Sequence, residues 1–208
     1  MTTTRTLEGF YGIIAFTAAY LLAATAWVIH VGDLEFLAYI AIMLVLAGVV
    51  WLVHRRVGLP RALVACLSIW GALHMAGGLV LLPDGWDVGE KSNVLYNWHI
   101  AGPNFKYDQL VHAFGFGTTT WMCWRGLLSM APDIKRPPSA GALLICAAAG
   151  MGFGALNEVI EFIITVLVPE NNVGGYVNTA MDLVYNTIGA ATAALLIRWA
   201  NRASLGSD

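Results

Sequence analysis

The chain reads as an all-α protein, a polytopic bundle of six transmembrane helices with both termini on the cytoplasmic side. Three observations predict it. Of 208 residues, 58% are hydrophobic and only 12% charged, where a soluble domain keeps roughly a quarter of its residues charged. Apolar runs of about 18 residues or more recur along the chain, each long enough to cross a hydrocarbon core of roughly 30 Å as a helix. The basic residues fall almost entirely on alternate connections. With the N-terminus inside, the inner segments carry Arg5, Arg55, Arg56, Arg61, Arg125, Lys135, Arg136, Arg198 and Arg202, and the outer ones only Lys91 and Lys106. That is a positive-inside pattern.

The spans follow in order. The first, Phe10–His30, has no small-residue cleavage site after it and is expected to remain as a helix. The second, Phe36–Val53, is short. The third, Ala62–Leu82, ends with Gly77-Gly78, read as a local break. The fourth, Tyr107–Leu128, follows the long outer loop Pro83–Lys106. The fifth, Gly141–Val168, exceeds the bilayer and should tilt, kink or project. The sixth, Thr179–Ala200, opens with the capping-box pattern Thr179-x-x-Asp182. Gly150, Gly154 and Gly189 offer close-packing surfaces. The outer segments hold Asp33, Glu35, Asp84, Asp87, Glu90 and Glu170.

Composition also excludes several functions. A net charge of −2 provides no basic surface for nucleic acid. Cys66, Cys123 and Cys146 form no CxxC pair and lie in apolar runs, so a zinc ribbon, an iron–sulfur cluster or a disulfide framework is not expected.

Ionisable groups within the spans are the informative residues, because each is costly in a bilayer without a partner. Asp108 and His112 share a face of span four at i, i+4, as do Asp182 and Asn186 of span six. Span five carries Asn157, Glu158 and Glu161, and span three contributes His74. At 1.5 Å per residue, His112 and Asn186 lie roughly 8–10 Å below the outer helix ends. By the same rise Glu161 lies at about 10 Å, His74 at about 12 Å and Glu158 at about 15 Å. Four helices thus present polar groups at one level of the outer leaflet.

Asp182 could serve as a helix cap and Asp108 as a first-turn acid favoured by the helix dipole. His74 could be a hydrogen-bonded interior histidine. Glu158 and Glu161 have no helix end to explain them. Two carboxylates that close favour either a shared proton or a cation. Imidazole with carboxylate suits zinc, manganese or iron. The candidate ligands are therefore His112, Glu158, Glu161 and Asp182, then His74 and Asp108. Glu158 and Glu161 are the candidate catalytic bases, with Asn186, Asn157, Tyr107 and His99 in support.

These residues carry a likeness. His74-Met-Ala-Gly-Gly78, Tyr107-Asp108-x3-His112, Asn157-Glu158-x2-Glu161 and Asp182 resemble the YjdF-type family of small bacterial inner-membrane proteins, whose biochemical role is unassigned. The last three spans, ending in Asp182-x3-Asn186-x2-Gly189, also resemble VanZ-like proteins. Those are linked to glycopeptide resistance, which would imply a cell-envelope role. Glu161 stands where the VanZ-like pattern has glutamine, and the arginine before its aspartate is missing, so the YjdF-type likeness is followed.

Together these features lead to the expectation of a multi-pass protein of the bacterial inner membrane with an outer-leaflet metal site. As an enzyme it would be a metal-dependent hydrolase or transferase acting on a lipid or lipid-linked envelope substrate. The alternatives are a proton- or cation-coupled transporter component and a non-catalytic subunit of a membrane complex or oligomer. The loop aromatics Trp86, Tyr96 and Trp98 suit an interfacial cover, and Asn93, Asn97 and His99 are the loop residues within possible reach of the cluster.

Overall fold

The structure, a computed structural model, describes residues 7–89, 92–102, 105–134, 137–168 and 173–203. Arg5, Glu90, Lys91, Lys135, Arg136 and Glu170, which carry part of the charge argument, lie outside the described residues. Six α-helices follow one another: α1 Tyr11–Val31, α2 Leu34–Val57, α3 Arg61–Leu79, α4 Tyr107–Met130, α5 Ala140–Leu167 and α6 Tyr176–Ala203. Among the described residues there is no β-strand, only isolated bridges at Leu81–Val94 and His99–Lys106.

Three helices differ from the sequence expectation in ways that local structure explains. Helix α2 is 24 residues long rather than short. Asp33 caps its start by accepting the Phe36 amide at 3.0 Å, and it runs through Arg56 to Gly58, whose left-handed conformation (φ 73°) closes it. Helix α3 passes unbroken through Gly77 and Gly78. Those glycines serve close packing, because a Cβ at either would run into the ring of Tyr96 or Phe36. Helix α6 starts at Tyr176, and the Thr179 amide already bonds the Gly175 carbonyl at 3.2 Å. Asp182 therefore sits in the second turn and caps nothing.

Five helices are long and apolar enough to cross a membrane, and α4 is the exception. Its 24 residues give about 36 Å of helix, so length is not what it lacks. Its polar side chains turn inward: Gln109, His112, Thr118, Thr119 and Thr120 are all buried. A helix walled in by protein has no need of an apolar surface all round. The chain is a multi-pass membrane protein by its apolar helices.

Two compact units divide the described chain. The first comprises α1–α3, the long loop as far as Asp108 and the end of α5 from Ile160. Its core joins Ala24 and Val28 of α1, Phe36, Tyr39 and Ile40 of α2, Met75 of α3 and Ile164 of α5. Thr17 and Ser68 add a hydrogen bond between α1 and α3 at 2.6 Å.

The second unit comprises α4 from Gln109, α5 as far as Val159, and α6. Here backbones meet. A Cβ on Gly189 would strike the Ala113 carbonyl, one on Gly117 would lie 3.0 Å from the Gly189 oxygen, and one on Gly150 would lie 3.2 Å from the Phe116 oxygen. Small residues let membrane helices approach this closely, which is how they gain packing energy without a hydrophobic drive between them. Trp124, Leu143, Cys146 and Ile197 form a separate apolar cluster in this unit.

Candidate functional site

In the second unit the tight contacts hold one buried polar cluster. His112, one turn into this part of α4, is 3% exposed, with Asp182 at 0% and Asn186 at 1%. Glu158 is buried as well. The His112 Nδ1 lies 3.1 Å from Asn186 Oδ1 and 3.6 Å from Glu158 Oε1. An amide oxygen only accepts, so in this pairing Nδ1 is the donor and Asn186 the acceptor. Gly154 makes this possible, since a Cβ there would fall 2.6 Å from the Asn186 Nδ2.

Asp182 is held from two sides. Asn178, one turn earlier in α6, donates to its Oδ2 at 2.6 Å, and Gln109 donates to its Oδ1 at 3.4 Å. A buried carboxylate that accepts amide N–H groups keeps its charge at lower cost. Sequence reading passed over Gln109 and Asn178 as site residues. The second had a legible signal, the i, i+4 spacing to Asp182.

The donor set fits a borderline divalent ion. His112 has a ligand atom within 4.8 Å of one on Asp182 and of one on Glu158. Two donors bonded at about 2.1 Å to one tetrahedral ion stand roughly 3.4 Å apart, a spacing that His112 can approach with Asp182 or with Glu158 through side-chain movement of about an ångström. Asp108, four residues before His112 in α4, and Glu161, three after Glu158 in α5, belong to the first unit. Both are half-buried. Asn157 neighbours Glu158 but points about 100° away around α5.

The other expected residues belong to the first unit. His74 meets the rings of Tyr39 and Tyr96 edge-on, at centroid distances of 5.8 and 5.6 Å. Tyr107 donates its hydroxyl to the Leu73 carbonyl at 3.0 Å. His99 stays in the loop, where its Nδ1 lies 2.8 Å from the Asp87 carboxylate. That pairing holds the Asp87 carboxyl below its ordinary range. Tyr96 of the loop reaches α3, where its hydroxyl donates to the His74 carbonyl at 2.7 Å. Only its aromatic character marked it in the sequence. Glu35 is a buried acid in the first turn of α2.

No curated protein and no solved structure matches the chain. A family model described as a predicted membrane protein, DUF2238, matches residues 12–203. This span includes all six helices save Tyr11, the first residue of α1, and every residue of the polar cluster. The chain therefore belongs to the DUF2238 family of membrane proteins.

Proposed function

We propose that the protein binds a divalent cation, zinc, manganese or iron, through His112, Glu158 and Asp182 of the second unit. The observation that carries this is a buried imidazole with a ligand atom within 4.8 Å of one on a buried carboxylate, Glu158 in one grouping and Asp182 in another. Asn186 is the positioning residue: it takes the Nδ1 hydrogen of His112 and so presents Nε2, the usual arrangement around a ligating histidine. Gln109 and Asn178 do the same for Asp182.

A bound ion would supply Lewis acidity at this site. The chain's own groups supply the rest. Glu158 provides a base to take a proton from water or a hydroxyl, and the buried surroundings keep bulk water away. The positive-inside pattern of the basic residues supports a position for the cluster in the outer leaflet of a bacterial inner membrane. A substrate reaching it there is a lipid or a lipid-linked envelope molecule, and the protein is a hydrolase or transferase.

A transport path is the competing reading, and α4 argues against it. After Asp108 the helix carries no acid. Its buried Thr118, Thr119 and Thr120 each donate back to a carbonyl of their own helix. Thermal melting of purified protein tests the site directly. Zinc should raise the melting temperature of the parent and not that of Glu158→Gln. An equal rise in both, or in neither, would remove the proposed ligand.

A further inference from the structure

The junction of α2 and α3 gathers cationic side chains at one end of the first unit. Helix α2 finishes with His54, Arg55 and Arg56 in its last turn, and α3 starts at Arg61. All three arginines are exposed. The turn that leads into α1 packs against the same end. Its Phe10 ring meets His54 edge-on at a centroid distance of 4.7 Å, and a Cβ on the preceding Gly9 would fall within the Arg61 guanidinium. Glycine at position 9 thus leaves a seat where Arg61 lies against bare backbone.

The donors gathered here are unspent. Among the described residues, Arg55, Arg56 and Arg61 have neither an ion pair nor a hydrogen bond, although the turn carries one acid, Glu8. His54 is 7% exposed, held between Phe10 and a stacked Trp51 at 6.1 Å. Its Nδ1 is enclosed with no hydrogen-bond partner. Placing the ring hydrogen on Nε2 leaves no donor orphaned in the interior. Helix α3 also opens at Arg61 with no side-chain cap. A cation there opposes the helix dipole, and a bound anion offsets both.

We propose that this end of the first unit binds the phosphate group of an anionic lipid. Arg61 is the anchor, Arg55 and Arg56 supply charge around it, and His54 donates from Nε2, the ring nitrogen that is not enclosed. Depth argues for a lipid. Both α2 and α3 are long and apolar enough to cross a membrane, so the turn that joins them lies at headgroup level. The seated guanidinium suits a phosphate because it offers two parallel N–H bonds, which a lysine cannot. This site is separate from the ion proposed for the second unit, and either can fail while the other stands.

The test is a titration of phosphatidylglycerol into the full chain in a neutral maltoside detergent, read as melting temperature. The parent should rise to a plateau that gives an apparent affinity. Arg61→Gln should weaken that affinity about fivefold, the worth of one basic residue at an anionic lipid surface. Arg61→Lys should fall between the two, since it keeps the charge and loses the fork. His54→Phe keeps the ring contacts and should lose about fivefold, the worth of one net hydrogen bond. Arg202→Gln, which removes an exposed charge from the last turn of α6, should bind like the parent. A parent that does not respond, full affinity in His54→Phe, or equal losses in Arg61→Gln and Arg202→Gln would overturn the site. Arg61 and Arg202 are exposed, so their comparison decides the matter should His54→Phe not fold. Inorganic phosphate should give no rise at concentrations where the lipid saturates, and an equal rise would overturn the lipid as ligand.

Discussion

The two units use glycine and histidine to opposite ends. In the first, Gly71, Gly77 and Gly78 make room for the side chains of Tyr20, Met43, Tyr96 and Phe36, and His74 is boxed by aromatic rings. In the second, Gly117 and Gly189 bring backbone onto backbone, and His112 is boxed by an amide and a carboxylate. Rings can swing; carbonyls in a helix cannot. The contrast separates a unit that can adjust from one built to hold polar groups in fixed positions, and only the second kind suits a site whose geometry matters.

The sharpest way to break this comparison is one methyl group in each unit. Gly189→Ala forces a Cβ into the Ala113 carbonyl and should cost about 3 kcal/mol or more, the top of the overpacking range. Gly77→Ala meets a loop-borne ring and should cost about 1–2 kcal/mol. Denaturation monitored by helical circular dichroism in matched detergent checks both. Similar losses would erase the distinction between the units.

Next in size come the ligands. Glu158→Gln should weaken zinc binding by more than the roughly 10–100-fold that losing an outer partner costs, while leaving the metal-free protein as stable as the parent or more so, since a buried carboxylate is gone. Competition with a chelating dye measures the first, melting without metal the second. Asp182→Asn should also lose affinity, because Asp182 lies inside α6 and is no cap. Asn186→Ala sits lower, at about 10–100-fold, through loss of the His112 orientation. In the first unit His74→Phe keeps the ring contacts and should leave zinc affinity unchanged. A loss there comparable to that in Asn186→Ala would make His74 a ligand after all.

The smallest effect concerns the loop. Asp87 has its pKa lowered by His99, so the stability it adds is present above its unfolded value near 4 and is lost as pH falls through the lower folded value. The clasp should therefore hold unchanged from about pH 8 to 5 and open only in stronger acid. Tryptophan fluorescence of the Trp86–Trp98 pair follows it, and Asp87→Asn should show the acid signal at neutral pH.

Much of the fold was legible because bilayer physics leaves a coarse imprint: long apolar runs became helices, and the expected starts of α1, α4 and α5 fall within a residue of the observed ones. The ends of α2 and the start of α6 were not, because a cap at Asp33 and the turn at Gly175 decide them locally. His112, Glu158, Asp182 and Asn186 were readable as polar groups at helical spacing in apolar surroundings. Gln109 and Asn178 were harder to see, since an amide gives a weak signal until its carboxylate partner is placed beside it. The reach of Tyr96 onto α3 left no periodic trace at all, as loop geometry seldom does.

Metal content is the most direct measure of the central claim. Protein purified in nanodiscs, loaded with zinc and desalted, should retain about one ion per chain, the stoichiometry of a single closed ligand set. The double variant His112→Ala, Glu158→Gln should retain none while keeping the helical content of the parent. Equal zinc in the two proteins, or none in either, would contradict a metal site in the second unit.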